Sequence, residues 1–238
     1  MRLDKLAALT GMTRTEARKA IAAGRVRVRG EIARDAAMQA EPGEVTVDGQ
    51  QVQAGDIYVM VHKTAGVVTA TEDRRLPTVM DLLPEAIQKR NPGPVGRLDR
   101  DVTGLVLMTT DGQLAHRLIS PRWKAEKVYR ARCEGRLTPA DVRRFAEGMA
   151  LSDFTAKPAS LEILRADDAE SLADVTLTEG KFHQVKRMFA AVGHPLIELK
   201  RTRIGCLALD DALAPGECRM LTDDEIEGLK ALCGMARD

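Results

Sequence analysis

Nothing in this chain of 238 residues approaches the ~20 consecutive apolar positions that a bilayer-spanning helix needs. The opening Met1-Arg2-Leu3-Asp4-Lys5 also lacks the uninterrupted apolar core of a signal peptide. Its four cysteines, Cys133, Cys206, Cys218 and Cys233, are scattered without a Cys-x-x-Cys pair, so the sequence offers neither a disulfide framework nor a zinc site. There is no solenoid repeat and no low-complexity tract, and a net charge of +1 is far from that of a histone-like polycation. These absences exclude membrane, redox and zinc roles, and the expectation is a soluble, reduced, cytoplasmic protein.

What the chain does have is a 44% hydrophobic content, enough over this length for one substantial core and a second small module. Its charge is unevenly spread. Residues 1–34 hold nine Lys/Arg against Asp4, Glu16 and Glu31, an excess of +6 that leaves −5 for the remainder. Within that acidic remainder two basic patches stand out, 117–136 with seven Lys/Arg against two Glu and 181–203 with six against Glu198. An N-terminal arm for polyanions, followed by a larger body with two basic stretches, is therefore expected.

In the arm, Leu3, Leu6 and Leu9, then Ala17, Ala20 and Ile21, recur at helical spacing, with Gly11 dividing two short helices and Thr13 capping the second. After Gly24, Val26 and Val28 alternate with Arg25, Arg27 and Arg29, which gives a strand one apolar and one basic face. Val45 and Val47 lead into an Asp48-Gly49 turn. Residues 50–56 are polar enough to be a linker, and an alternating strand at 57–63 opens the body. Beyond it the pattern predicts helices at 78–83, 114–119, 139–149, 181–192 and 223–232. It predicts strands at 105–108, 127–133, 159–164, 172–177, 197–199 and 206–209. The helix at 181–192 is read with Phe182, Val185, Met188, Phe189 and Val192 inward. Strands and helices mixed in this order imply an α+β fold, divided into a small domain at 1–49, the linker at 50–56 and a body at 57–238.

The chain is organised around residues 96–112. There a glycine-bounded loop delivers Arg97, Asp99, Arg100 and Asp101 immediately before an apolar run, 105–108, that needs burial in a sheet. A carboxylate set at the edge of a core is partly desolvated, so its protonation and nucleophilicity become tunable. On composition alone, a plainer alternative stands beside this: Asp99 and Asp101 pair with Arg97 and Arg100 in a turn.

Several motifs in order resemble the RsuA-type pseudouridine synthases. They are Gly96-Arg97-Leu98-Asp99, Thr103-Gly104-Leu105, Thr109-Thr110-Asp111-Gly112, Lys127-Val128-Tyr129, and the run from Glu179-Gly180-Lys181-Phe182-His183-Gln184 to Val185-Lys186-Arg187-Met188. The likeness continues through Arg203-Ile204-Gly205, Leu207, Leu209, Leu213, Pro215-Gly216-Glu217 and Arg219, and so spans nearly the whole chain. The arm, with Arg2, Lys5, Arg14, Arg18 and Lys19 on outward faces, resembles the S4-type RNA-binding domain. It departs from that pattern at Arg29-Gly30, where Asn-Gly is usual.

The resemblance implies an α+β enzyme with a mixed, mainly antiparallel sheet flanked by helices, needing neither cofactor nor metal. Its reaction breaks the C–N glycosidic bond of a uridine, turns the freed uracil and rejoins it through carbon. Carried onto this chain, the aspartate acting as nucleophile or base is Asp99, the aromatic ring on the uracil is Tyr129, and the cation orienting the aspartate is Lys186. Phosphate and RNA contacts fall to Arg2, Lys5, Arg14, Arg18, Lys19, Arg97, Arg100, His183 and Arg187. The pattern at 184–193 and 213–217 is most similar to the small-subunit member, which implies a uridine in the 5′ domain of 16S rRNA. The substrate is then ribosomal RNA or a small-subunit assembly intermediate, with no membrane partner, and the enzyme a monomer. The alternatives are action on 23S rRNA, a non-catalytic rRNA-binding assembly factor, and a glycosidase pairing Asp99 with Asp101 or Asp111.

Overall fold

A threonine three residues ahead of a glutamate starts the second helix. Thr13 Oγ1 accepts from the Glu16 backbone N–H at 3.2 Å, and the Glu16 carboxylate accepts from Thr13 N at 2.7 Å. The computed structural model of the chain describes residues 1–52 and 55–235. By packing these fall into two units, one of Met1–Ile57 with Leu83–Pro92, the other of Tyr58–Leu82 and the chain from Gly93 on.

The first unit holds α1 (Leu3–Ala8), α2 (Arg14–Ala22) and four short strands, β1 (Val26–Val28), β2 (Glu31–Ile32), β3 (Val45–Val47) and β4 (Gln50–Gln51), with α3 (Glu85–Gln88) packed in the same unit. The strands form an antiparallel sheet in the order β2-β1-β3-β4. Leu3, Leu6, Ile21, Val26 and Val45 are fully buried between helices and sheet. The expected linker at 50–56 begins with a strand, because Asp48 and Gly49 both take left-handed backbone (φ 52 and φ 82) and fold the chain back along β3. Val52 is then buried in the same core, while Gln53 and Ala54 of that segment lie outside the described residues. Asp4, buried in the first turn of α1, accepts from Arg2 and Arg18 at 3.1 Å, and the hydrogen bond from Arg2 outweighs the cost of burial to hold its carboxyl at about 2.

The second unit is built on a sheet in the order β11-β12-β8-β13-β7-β5-β15. Its strands and helices, in chain order, are β5 (Tyr58–Lys63), β6 (Gly93–Pro94), β7 (Thr103–Thr109), α4 (Gly112–Ile119), β8 (Lys127–Glu134), α5 (Pro139–Glu147), β9 (Met149–Ala150), β10 (Thr155–Ala156), β11 (Ser160–Ala166), β12 (Glu170–Leu177), α6 (Gln184–Ala191), β13 (Leu196–Ile204), β14 (Leu207–Ala208), β15 (Cys218–Met220) and α7 (Asp223–Leu232). Only β13 and β7 run parallel; the other described strand pairs are antiparallel, so the fold is α+β with a mixed sheet. β7 lies between β13 and β5, and Leu105, Val106, Leu107 and Met108 are all fully buried, as a continuous apolar run in a strand covered on both faces should be. Among the described residues no helix is long and apolar enough to cross a membrane.

Two further expected elements differ. No helix forms at 78–83: Thr78 bridges to Val68, and the Asp81 carboxylate accepts from Thr78 N at 2.7 Å, a side-chain turn that competes with helix. The helix there starts only after Pro84. α6 begins at Gln184 rather than 181, because His183 sits in left-handed backbone (φ 51); Phe182 therefore falls outside the helical repeat and is exposed rather than inward.

Candidate active site

The loop that precedes β7 is held from the other side of the sheet edge. Thr69 Oγ1 donates to Leu98 O at 2.8 Å and accepts from Leu98 N at 3.0 Å, which fixes the residue before Asp99. Gly66 N donates to Arg100 O at 2.8 Å, and Arg100 Nε returns a bond to Gly66 O at 3.3 Å. Lys63, at the end of β5 and fully buried, donates to Thr64 O, Arg100 O and Val102 O at 2.9, 3.1 and 2.6 Å. Burial lowers its ammonium to about 8, although the charges of Asp101 and Asp99 pull the other way. Gly104 closes the loop with φ 104, and a Cβ there would lie 2.2 Å from Arg201 O, so only glycine lets β7 and β13 approach.

Into this loop α6 projects Lys186. Its Nζ lies 3.1 Å from Asp99 Oδ2 and donates to both oxygens of Asp101 at 2.7 and 2.9 Å. Burial works against the charge, but the hydrogen bonds to Asp101 and Asp99 hold the ammonium above its ordinary range, and the same contact keeps Asp101 below its own. His183 Nε2 is 3.5 Å from Asp99 Oδ2. Lys186 and His183 thus both meet Asp99 through Oδ2, and no hydrogen bond among the described residues engages its Oδ1. The carboxylates pair with Lys186, not with Arg97 and Arg100, which are exposed.

Tyr129 lies on β8 opposite Arg201, which is itself in register with Gly104 on β7, so one row across the sheet carries Lys63, Gly104, Arg201 and Tyr129. The ring is buried and its hydroxyl makes no hydrogen bond among the described residues. Arg201 is buried with Nε on Leu105 O at 2.8 Å, and its Nη2 is, among the described residues, the one buried side-chain polar atom without a partner. Arg187 points away from Asp99: it bonds Ser152 at 2.9 Å, pairs with Asp153 and stacks 4.8 Å over Phe154. In the arm, Arg2 and Arg18 are tied to Asp4, whereas Lys5, Arg14 and Lys19 are exposed and make no ion pair among the described residues. Asp111, the other candidate second carboxylate, is occupied as the α4 cap and by the Tyr58 hydroxyl at 2.8 Å, and Asp101 by Lys186, which leaves neither of them spare as a general acid for glycoside hydrolysis.

Sequence reading missed Lys63, Thr69 and Arg201. For Lys63 the available signal was a lysine closing a largely apolar strand, which burial obliges to find acceptors; Arg201 sits among the charged residues of β13 and carried no such signal. The arrangement as a whole offers a carboxylate with one oxygen unengaged among the described residues, an ammonium beside it and a buried aromatic ring on the sheet that the loop enters.

Known families match the chain in two parts. The RNA pseudouridylate synthase family profile matches residues 57–191, and the S4 domain profile residues 1–45. Ribosomal small subunit pseudouridine synthase A of Escherichia coli is 45% identical over 233 residues, 95% of this chain and 98% of the relative. An uncharacterized RNA pseudouridine synthase of Bacillus subtilis is 42% identical over 231 residues, 95% of this chain and 97% of the relative. A crystal structure of a pseudouridylate synthase superposes with a TM-score of 0.68 at 38% identity, covering 96% of this chain and 99% of that one.

Proposed function

The chain belongs to the RNA pseudouridylate synthase family and carries an N-terminal S4 domain. From that premise we propose that it isomerises a uridine in the 5′ domain of 16S rRNA in the cytoplasm, with Asp99 as the reacting carboxylate. The observation that carries the chemical reading is the Lys186 ammonium 3.1 Å from one oxygen of Asp99 while the other oxygen has no hydrogen bond among the described residues. The choice of small-subunit RNA rests on relatives of that name at 43–45% identity.

In this reading the free oxygen of Asp99 attacks the ribose or removes a proton, and Lys186 supplies the counter-charge that keeps the carboxylate available. Tyr129 packs on the uracil so that the cleaved base turns without escaping. C1′ and C5 cannot both be reached within a stacked helix, so the nucleotide is flipped out to react. Carbodiimide mapping with primer extension on rRNA from a deletion strain tests the substrate. The expected result is one stop lost from the 5′ domain of 16S rRNA; a stop lost from 23S with 16S unchanged would move the substrate to the large subunit.

The S4 domain contributes affinity. Of the five cations assigned to phosphate from the sequence, Arg2 and Arg18 are bound to Asp4, which leaves Lys5, Arg14 and Lys19 for the RNA backbone. Replacing these three with glutamine is expected to weaken RNA binding and to flatten the plot of log affinity against log salt by ~2 to 3 units, at ~0.7–0.9 for each phosphate that is no longer neutralised. An unchanged slope would mean that these side chains do not meet the backbone.

A further inference from the structure

Aromatic rings are scarce in this chain, four Phe, two Tyr and one Trp. Phe145, Phe189, Tyr58 and Tyr129 are buried, yet Phe182 is 75% exposed. Its neighbour His183, in left-handed backbone, turns the two rings face to face, with centroids 3.8 Å apart and planes at 19°. One face of Phe182 is thus covered by the imidazole and the other is open to solvent. The same imidazole reaches Asp99 Oδ2 at 3.5 Å, and Lys181, on the other side of Phe182 in the chain, is exposed.

We propose that the open face of Phe182 is a stacking subsite for a nucleobase adjacent to the target uridine. Single-stranded RNA is held in this manner, by aromatic faces for the bases and nearby cations for the phosphates, and every base has a π face to offer. A flipped uridine leaves its former stacking neighbours exposed, and Phe182 offers one of them a replacement partner. The open face is the one turned from the imidazole that meets Asp99, so we assign it to a neighbouring base rather than to the one that reacts. That last step rests on the reading of Asp99 given above; the stacking itself does not.

The test uses Phe182→Ala, Phe182→Leu and Phe182→Trp in the full-length enzyme, with whichever rRNA fragment the wild-type enzyme modifies. Far-UV circular dichroism and thermal melting control for folding; the exposed site, outside α6, makes misfolding of all three variants an unneeded explanation. Alanine and leucine are expected to raise the Kd for RNA about 5- to 150-fold, the span of one aromatic–base stack, with a larger loss in Kd than in the saturated single-turnover rate, and tryptophan is expected to restore binding. Each protein is then measured with RNA made abasic at the 5′ neighbour, the 3′ neighbour or the target. The difference between wild type and Phe182→Ala should vanish with one of the two neighbours abasic. Equal binding by wild type, Ala and Leu, or a difference that survives in all three abasic RNAs, overturns the stack. A difference that vanishes only with the target abasic overturns the assignment to a neighbour. An active Asp99→Asn enzyme would remove the chemical reading and leave the abasic comparison intact, so the two failures are distinguishable.

Discussion

Asp99→Asn is expected to leave no detectable pseudouridine formation, a loss of at least ~10⁴-fold in single-turnover rate, while RNA affinity and folding stay near those of the wild type. The substitution keeps the size of the side chain and much of its hydrogen bonding. What it removes is the anionic oxygen that no described residue engages, and it places an amide where Lys186 and His183 now meet a carboxylate. The loop should hold its shape, because its anchors are main-chain carbonyls on Lys63 and the two bonds between Thr69 and Leu98, none of which involves the Asp99 side chain. Tritium release from C5-labelled RNA reads the isomerisation directly, and excess enzyme keeps slow product release from hiding the chemical step. An Asp99→Asn enzyme with wild-type release would remove Asp99 from the chemistry and leave the family's fold without its proposed nucleophile.

The parts of this fold that follow from neighbouring residues were legible in the sequence. Thr13 with Glu16 and Thr138 with Pro139 mark helix starts through capping chemistry confined to four residues, and α7 occupies 223–232 as its pattern predicts. The meeting of Lys186 with the 99–101 loop joins residues 85 positions apart, and only the ordered family motifs, not periodicity, pointed to it. Lys63 escaped notice because its acceptors are carbonyls, which carry no residue-type signature, on a loop 37 and 39 positions away. Phe182 was misplaced because one left-handed residue, His183, resets where α6 begins, and a hydrophobic repeat does not register backbone handedness. Strands of two or three residues, such as β9, β10 and β15, are too short for any alternation to show.

The second large effect expected is that of Lys186→Met, a fall of about 10²-fold or more in single-turnover rate, because it strips the cation from two carboxylates at once. Lys186 lies between Asp99 and Asp101; without its charge the two acids face each other across the loop, with His183 beside Asp99 and the buried Lys63 ammonium acting without a direct ion pair. Lys186→Arg should recover part of the loss, since charge returns but a planar fork does not reproduce three donors directed at two carboxylates. Asp101→Asn should be much milder, about tenfold or less, because Asp101 is 72% exposed and touches the reaction only through the ammonium it helps to hold. Arg187→Met acts elsewhere, on the contacts to Ser152 and Asp153, and its loss should fall on RNA affinity before rate. The order of these rates separates the roles. An Asp101→Asn enzyme as inactive as Asp99→Asn would make Asp101 the reacting group, and a Lys186→Met enzyme with wild-type turnover would show that Asp99 needs no counter-charge at all.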